Sequence, residues 1–416
     1  MSDDRGTLRE VIWQDICPWL ILRRTFRLAI SLSVLLLCAV ALVGVSAGWK
    51  VIGTLFDGTD DQVVGMCIAD YQDWPWADLE IPDRVEMNFS SLADGTVAAG
   101  PLRRVAGRIP YVGPWLTGGP VPGVWAYLTD PFVRLFGADV SVVGLAYFSL
   151  CCLWEALVWA LFGGAVTRIA ALDLAREERL GLLKALTEQM KKWPAFFLAP
   201  VLPLVLVLIV VLALWAVGLL LRVTWLAWLV GLLWFLVILG GVFLAILLLG
   251  LAIGWPLMWP TISTERTDAF DALSRSFAYV SQRPLYYIFL VTVASMLGVV
   301  GFLVVGVFVD STILFGHWAI GWGSGSGQPD EIDNSVGASL IGFWQGCVLM
   351  VKPAFQLGFF WSAATAIYLL MRRAVDATEM DEISLDEDEQ SDQLPPMTTD
   401  ENGVLGVDGD ENDAEE

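Results

Sequence analysis

Residues 196–221 read FFLAPVLPLVLVLIVVLALWAVGLLL, a run of 26 residues without a charged side chain. A helix needs about 20 apolar residues to cross the hydrocarbon layer of a bilayer, so this run predicts a transmembrane span. Only a short turn, Arg222 to Trp225, separates it from a second apolar run of about 28 residues that continues to an interfacial Trp255/Trp259 pair. Two such runs joined by so short a turn indicate an all-α, polytopic helical membrane bundle.

The composition places most of the chain in lipid and most of its charge in one segment. Of 416 residues, 56% are hydrophobic, and the mean hydropathy is +0.65, outside the usual range of soluble proteins. The net charge is −21, yet residues 374–416 alone carry 17 acidic side chains and no Lys or Arg. Such a segment buries too little apolar surface to offset the entropy of ordering. We therefore expect a nearly neutral membrane body and a disordered acidic tail over 374–416.

The remaining apolar runs bring the predicted number of spans to about six. Residues 28–49 form the first, and the membrane domain, 141–373, holds the others, including spans over about 142–166 and 285–309. The last apolar stretch, Val336 to Met371, is too long for one simple helix and is interrupted at Lys352-Pro353. We interpret its first half as a helix on the outer leaflet and its second half, from Ala354, as the sixth span.

Basic residues orient these spans. Residues 1–27 form an amphipathic segment with five arginines, which the positive-inside rule places in the cytoplasm. The cytoplasmic segments then hold 16 of the 24 Lys and Arg residues, and both termini are cytoplasmic. The expected location is a bacterial cytoplasmic membrane. Residues 50–140 become an exported loop, and five of its residues suggest pieces at the outer headgroup level: Trp115, Trp125, Tyr127, Phe132 and Leu135.

Two amphipathic stretches between spans repeat one pattern. An apolar stripe with spacing 3, 4, 3 occurs twice, 87 positions apart, at Leu183, Leu186, Met190 and Trp193 and at Phe270, Leu273, Phe277 and Val280. A Glu-Arg pair precedes each stripe and a proline follows each, at Pro194 and Pro284. The spacing places apolar residues on one helical face, as in a helix lying in the membrane interface. We predict a duplicated unit of span, cytoplasmic elbow helix and span; alternatively, any loop between long spans tends to be amphipathic.

The second elbow stretch resembles known sequences. Residues 264–287 read TERTDAFDALSRSFAYVSQRPLYY, which resembles the signature of an uncharacterised polytopic membrane protein family of planctomycete bacteria. More loosely, its A-L-x-R-S-F core between two spans is similar to the membrane domain that accompanies some glycerophosphodiester phosphodiesterases. The likeness covers about residues 169–309. It implies a helical membrane domain and transfers no catalytic residue.

Three polar residues stand inside apolar runs. Glu155 lies near the middle of the second span, where an acidic residue costs about 2.5–3.5 kcal/mol on insertion scales. Lys352 and Gln356 lie in the last apolar stretch. A Glu155–Lys352 pair inside the bundle would mark a polar cavity or substrate path. We favour the alternative, in which Lys352 extends to the outer interface and Glu155 is hydrogen-bonded or protonated against a neighbouring helix.

Arginines of the elbow stretches are candidate contacts for the anionic inner leaflet. They either bind lipid phosphates or only fix the orientation of the helices. Four arginines belong to this group: Arg179, Arg266, Arg275 and Arg283. In the second elbow, Asp268 or Thr267 is placed to cap the N-terminus of the helix.

No motif for chemistry emerges. The single histidine, His317, lies in a Gly/Trp-rich loop, and the six cysteines contain no C-x-x-C pair, so we expect no metal site, cofactor, Ser-His-Asp triad or disulfide framework. We also expect no nucleic-acid partner. The sequence favours a non-enzymatic membrane scaffold or accessory protein in contact with the bilayer. Its acidic tail would either recruit a basic protein partner or only keep the cytoplasmic face soluble. The alternative is a permease-like or lipid-handling protein with a polar site near Glu155.

Overall fold

The computed structural model is an all-α bundle with the predicted number of membrane-length helices. It describes residues 17–59, 61–71, 74, 119–137, 140–324, 336–384, 397–399 and 405–407. Six helical stretches within these ranges are long and apolar enough to cross a membrane: Leu32–Leu55, Val142–Arg176, Leu182–Leu220, Trp234–Glu265, Pro284–Gly323 and Ser339–Asp376. The prediction of six spans is therefore confirmed, and the differences from the sequence analysis lie mainly between the spans.

The N-terminal arm enters the first span through a bend. After a 3₁₀ turn over Pro18–Ile21, helix α1 (Leu22–Ala29) is followed by α2 (Leu32–Leu55). We predicted one helix from residue 28, but the chain bends at Ser31, which has extended backbone angles. Helix α1 packs against the last helix of the chain, so the arm belongs to the bundle. Residues 1–16 of the predicted amphipathic segment lie outside the described residues.

The predicted exported loop contributes two described helices, α3 (Gln62–Tyr71) and α4 (Pro120–Leu135). Helix α4 packs against other helices of the bundle, so its aromatic residues contact protein; that they lie at the outer headgroup level stays a prediction. Trp125 Nε1 donates to the carbonyl oxygen of Ala252, 3.0 Å away. The small residues of α4, among them Gly123 and Ala126, are buried and allow this helix to pack closely against its neighbours. Trp115 and residues 75–118 lie outside the described residues.

The membrane helices differ in how deeply they are buried in the bundle. The central helix is α12 (Val351–Asp376), in which the 18-residue window that defines the span is completely buried. Helices α6 (Leu182–Leu220) and α8 (Trp234–Glu265) lie at the periphery, because only 17% and 6% of their corresponding windows are buried. Composition explains the difference. Helix α12 is rich in Ala and aromatic residues that pack closely, whereas α6 and α8 are dominated by Leu, Val and Ile, which suit lipid.

The other described helices complete the bundle or connect its spans. They are α5 (Val142–Arg176), α7 (Thr224–Leu232), α9 (Ala269–Gln282), α10 (Pro284–Ser324) and α11 (Val336–Leu349). The break predicted at Lys352-Pro353 lies two residues earlier, at Met350, because a proline in the first turn of α12 does not interrupt a helix. Helix α10 continues well beyond the predicted end at 309. His317 is therefore an exposed helical residue, hydrogen-bonded to Gln345, rather than a loop residue.

The two elbow stretches differ in structure. The second is a separate helix, α9, and Asp268 caps it by accepting the Asp271 N–H at 2.8 Å, one of the two caps predicted. The first is not a separate helix, because Pro194 is accommodated within the continuous helix α6. A proline removes a single hydrogen bond from the preceding turn, which a long helix tolerates in lipid where neighbouring groups compensate.

The two elbow stretches turn their small residues inward, but their apolar stripes differ in exposure. Leu183 is 77% exposed and Phe270, its counterpart 87 residues later, is 69% exposed. Further along, Met190 of the first stripe is exposed, whereas its counterpart Phe277 is partly buried against the hydrophobic core. Ala185 and Ala272, also 87 residues apart, are both fully buried. Burial therefore matches at the start of the stripes and at the small residues, and differs beyond them. An outward apolar stripe is the arrangement expected where lipid, rather than water, surrounds a helix.

Three helices end in the same way at one end of the bundle. The residues after α5, α8 and α12, namely Glu177, Arg266 and Ala377, all have left-handed backbone angles with φ of 60°, 55° and 57°. Each reverses the chain at the end of its helix. After Ala377, residues 377–384 fold back over these ends, and Ile383 is buried against Ala171 and Leu172. The predicted start of a disordered tail at residue 374 is therefore wrong, because α12 continues to Asp376 and the packed segment follows it.

Beyond this segment, the structure describes a short antiparallel strand pair, β1 (Met397–Thr399) and β2 (Leu405–Val407). The other residues from 385 onward lie outside the described part of the chain. The prediction that they are disordered stays a prediction.

Candidate functional site

The position of Glu155 follows from the packing of its neighbour Trp154. The Trp154 indole lies across a glycine surface of α2, where its Nε1 donates to the carbonyl oxygen of Gly44 at 3.0 Å. A Cβ atom at Gly48 would come within 1.8 Å of the same nitrogen, so only glycine admits the ring. Because successive residues of a helix point in different directions, fixing Trp154 against α2 turns Glu155 toward the bundle interior, where it is only 5% exposed.

A cavity of about 140 Å³ lies beside Glu155. Five helices supply its wall: Leu128 and Phe132 of α4, Trp159 of α5, Pro200 and Leu204 of α6, Trp255 and Trp259 of α8, and Trp361 of α12. The residues from α4 and α6 are only partly buried, so the cavity opens between these two helices toward the surface of the bundle. Glu155 supplies the one ionisable carboxyl group among the described lining residues.

Four tryptophans form the deep side of the cavity. Trp361 is fully buried and stacks on Trp259, with ring centroids 4.4 Å apart. Trp255 and Trp159 contact Trp361 at centroid distances of 5.7 and 6.3 Å. Gly163 makes room for this cluster, since a Cβ there would lie 2.6 Å from the Trp259 ring. The sequence analysis assigned Trp255 and Trp259 to an interfacial belt; the structure places them inside the bundle because α5 and α12 offer small and aromatic partners.

One carboxyl oxygen of Glu155 has no hydrogen-bond partner among the described residues. Its Oε1 atom is buried and accepts no hydrogen bond from the described part of the chain. Asp130, an acidic residue of nearby α4, is already paired with Arg134 at 2.6 Å. A buried carboxyl group is costly unless a proton, a counter-ion or a ligand satisfies it. The hydrogen bond that we expected Glu155 to form with a neighbouring helix is therefore absent at Oε1 among the described residues.

Lys352 does not pair with Glu155. Its Nζ lies 2.5 Å from Asp310 Oδ1 of α10, and both side chains are mostly buried. The hypothesis of a Glu155–Lys352 pair is therefore wrong: the lysine is satisfied by an aspartate on an adjacent helix. Gln356, the third candidate, lies one helical turn further along α12 and is buried. It does not line the cavity beside Glu155.

A buried ion network joins α5, α6 and α8 at the end of the bundle that the sequence analysis places in the cytoplasm. Glu188 Oε2 lies 3.3 Å from Arg168 Nε and 2.8 Å from Arg266 Nη2, and none of the three side chains is more than 8% exposed. Arg168 also donates to the carbonyl oxygens of Ser263 at 2.9 Å and Ser384 at 3.2 Å. The network therefore connects the helices to the folded-back C-terminal segment.

A second polar cluster joins α8, α9 and α12. The Tyr368 hydroxyl donates to Glu265 Oε1 at 2.5 Å, and Arg275 pairs with Glu265 and with Asp271. In α9, the Tyr279 hydroxyl donates to Asp376. Burial, followed by this hydrogen bond, raises the pKa of Tyr279 above its ordinary value. Because each carboxylate in the cluster has a hydrogen-bonding or cationic partner, the cluster is built to hold helices together.

The four elbow arginines have different environments. Arg266 points inward to Glu188, so the prediction that it faces lipid is wrong; its left-handed backbone turns the side chain back over the helix end. Arg275 is partly exposed and is paired within the second cluster. Arg179 and Arg283 are exposed. Their contact with lipid phosphates stays a prediction.

Sequence reasoning missed two of the most connected residues, Arg168 and Glu188. We counted Arg168 only as one cytoplasmic charge, and we assigned the polar side of the first elbow stretch to solvent. The available signal was the pair Ala185 and Gln189, which flank Glu188 on the side opposite the apolar stripe. In lipid that side faces protein.

Comparison with protein-family models, with curated proteins and with solved structures finds no match for the chain. In the described part of the chain, no group of three or more His, Cys, Asp or Glu side chains is placed to hold a metal ion. The geometry of the Glu155 cavity is therefore the observation from which we infer a function. The resemblance to a planctomycete membrane family stays a prediction.

Proposed function

We propose that this multi-pass membrane protein binds a small, largely apolar ligand in the cavity beside Glu155, as a lipid-handling or permease-like protein. One observation carries the proposal: an apolar cavity of about 140 Å³ contains a carboxyl group whose buried Oε1 has no hydrogen-bond partner in the described chain. Leaving a buried polar atom unsatisfied costs about 1–3 kcal/mol. A closed structural bundle gains nothing from that cost, whereas a ligand site needs a free polar group.

The opening of the cavity supports entry from the bilayer. The residues at the opening, Leu128, Phe132, Pro200 and Leu204, are apolar, and the outer face of α6 beyond them is among the most exposed apolar surfaces of the bundle. A ligand that reaches the cavity between α4 and α6 therefore crosses an apolar surface. This route suits molecules that already partition into lipid.

Chemical labelling of Glu155 tests this proposal. Diisopropylcarbodiimide partitions into membranes and adds covalently to carboxyl groups that it reaches. We expect it to modify Glu155 in folded protein in membrane vesicles, detected by mass spectrometry as one added reagent on the peptide that contains residue 155. The Ala156→Phe variant, which fills the cavity, should lower the extent of labelling at least fivefold. Leu153→Phe, on the exposed face of the same helix, should leave it unchanged.

One result of this labelling experiment would contradict the proposal. If Glu155 is modified only after denaturation, the cavity is closed to membrane-soluble molecules, and the ligand-binding proposal is wrong.

A scaffold role remains the second candidate, and one observation favours it. Residues 377–384 are held against the helix ends, because Arg176 and Arg372 donate to the carbonyl oxygens of Asp381, Ile383, Glu379 and Glu382. The acidic tail thus starts from a fixed point, which favours docking of a basic protein. Binding of an oligolysine peptide to vesicles would test it: replacing Asp386, Glu387, Asp388 and Glu389 by their amides should weaken binding several-fold.

We also propose that both termini lie in the cytoplasm of a bacterium, as the bias of Lys and Arg supports. Cysteine accessibility tests this orientation. A membrane-impermeant maleimide added to intact spheroplasts should reach Cys17 only after the membrane is opened. Modification of Cys17 in intact spheroplasts would reverse the proposed orientation.

A further inference from the structure

The wall of the Glu155 cavity combines tryptophan rings with a single acidic group. Trp159, Trp255, Trp259 and Trp361 line it together with Glu155, and the described lining includes no Lys, Arg or His. The indole nitrogens of Trp159, Trp255 and Trp361 are buried, without a hydrogen-bond partner among the described residues and without a surface toward the cavity, and that of Trp259 donates to the carbonyl oxygen of Phe196 at 2.9 Å. The cavity therefore meets ring carbons rather than N–H donors.

This combination discriminates between classes of ligand. The face of an indole ring carries partial negative charge, so it attracts cations and disfavours anions. A carboxylate does the same. A neutral apolar molecule would contact the rings but leave Glu155 unsatisfied, whereas a cation with an apolar surface satisfies both. Aromatic rings recognise ammonium groups more strongly where water is excluded.

The size of the cavity limits the charged part of the ligand. An engineered cavity of about 150 Å³ holds a molecule of the size of benzene. A volume of about 140 Å³ therefore accommodates a trimethylammonium group. It is too small for a complete phospholipid headgroup, and any longer part of the ligand must leave through the apolar opening between α4 and α6.

Resting on the ligand cavity proposed above, we infer that the ligand is a cationic amphiphile: a compact tertiary or quaternary ammonium head seated between Glu155 and the tryptophans, with an apolar chain extending into the bilayer. The head exchanges its hydration for ring faces and one carboxylate. The chain stays in a lipid environment throughout.

Protection of Glu155 from the carbodiimide measures this preference. The test probe is octyltrimethylammonium, and the matched control is 2,2-dimethyldecane, which has the same shape with carbon in place of nitrogen. In membrane vesicles we expect the cation to give half-protection at a membrane concentration at least tenfold lower than the hydrocarbon. Tetramethylammonium, the head without a chain, should protect at least tenfold more weakly than octyltrimethylammonium.

Two variants of Trp255 test whether the tryptophan rings cause the preference for the cation over the hydrocarbon. Trp255→Leu should reduce the difference between cation and hydrocarbon at least threefold, and Trp255→Phe, which keeps a ring, should lose less. Trp318→Leu, an exposed position of α10 outside the cavity, should change nothing. Thermal unfolding of each variant shows whether it is folded.

Each outcome has a separate meaning. Equal protection by the cation and the hydrocarbon would overturn the cationic head and leave the ligand cavity in place. Equal protection by tetramethylammonium and octyltrimethylammonium would overturn the apolar chain. Failure of the carbodiimide to modify Glu155 in folded protein overturns the cavity proposal and this inference together.

Discussion

Arg168 of α5 and Glu188 of α6 form an ion pair of 3.3 Å in which the arginine side chain is 1% exposed and the glutamate side chain 8% exposed. Arg266 joins the same carboxylate from α8. Among the described residues, this one carboxylate therefore contacts two buried guanidinium groups. Removing one partner of a buried ion pair lowers the free energy of unfolding by more than the pair as a whole contributes to it. The reason is that the remaining buried charge is left without a counter-charge.

Replacing this carboxylate should destabilise the protein strongly. In Glu188→Gln the shape is kept and the charge is lost, so we expect a loss of about 3 kcal/mol in the free energy of unfolding. Thermal unfolding in one detergent measures it as a lower Tm. The control is Glu178→Gln, an exposed glutamate of the preceding loop, which should leave Tm within error. A Tm for Glu188→Gln equal to the wild-type value would show that the network contributes little to stability.

The glycine surface beneath Trp154 gives a second prediction. Alanine at Gly48 would place a Cβ atom 1.8 Å from Trp154 Nε1, so the indole must move and lose its bond to Gly44. We expect Gly48→Ala to cost about 1–3 kcal/mol. Gly218→Ala, at a helical position with no atom within 4 Å, is the matched control and should be neutral or slightly stabilising. Equal Tm values for the two variants would contradict the close packing of α2 and α5.

The sequence predicted the spans well and their surroundings poorly, for a physical reason. Length and absence of charge decide whether a helix can cross lipid, and both are visible in residues such as 196–221. Which face of a helix meets protein is a different question. In lipid the apolar residues of α6 face outward and its polar side faces protein, so the spacing of the stripe did not reveal that Glu188 is buried, and Arg266 was expected to contact the anionic leaflet rather than this glutamate.

For the candidate site, too, the local sequence identified a residue but not the residues that pack around it. Glu155 was identified because an acid inside an apolar run is costly wherever it lies. The cavity around it is formed by α4, by Trp255 and Trp259 of α8, and by Trp361 of α12, which are distant in sequence. No local pattern connects them. The partner of Lys352 was missed because Asp310 was assigned to an outer loop, whereas α10 continues past it.

Double-mutant cycles can distinguish the two partners considered for Lys352. We expect a coupling of about 1–2 kcal/mol between Lys352→Met and Asp310→Asn, because the two groups are in contact and mostly buried. Coupling between Lys352→Met and Glu155→Gln should stay below about 0.5 kcal/mol. Unfolding in a denaturant series gives all six free energies. The reverse order of the two couplings would restore the original hypothesis.

The left-handed residue after α12 offers a stabilising change. Ala377 has φ of 57°, a conformation in which its Cβ is unfavourable and which glycine adopts without cost. Ala377→Gly should therefore raise the free energy of unfolding by about 1 kcal/mol, measured as a higher Tm. Ala374→Gly, three residues earlier within the helix, should lower it by a similar amount because glycine is a poor helix former. A lower Tm for both would show that the helix does not end at Asp376.

The folded-back segment can be tested at its buried residue. Ile383 is 5% exposed and packs on Ala171 and Leu172, so Ile383→Ala should cost about 2 kcal/mol. Asp381→Ala is the control, since the exposed side chain is removed while its carbonyl oxygen remains available to Arg176. Proteolysis of the segment should accelerate in the Ile383 variant only. Equal protection of both variants would mean that the segment is held by its backbone contacts alone.

The complete burial of α12 has a consequence for how the protein is made. The span that contains α12 leaves the ribosome last of the six, and its mean hydropathy of 1.4 is the lowest among them, against 3.1 for α6. A helix of that composition has little affinity for hydrocarbon by itself. Its insertion depends on the surfaces that the five earlier spans have already assembled. Of the six spans, the last to be inserted is therefore the one that closes the core, and we expect an error in an earlier helix to hinder its entry into the membrane.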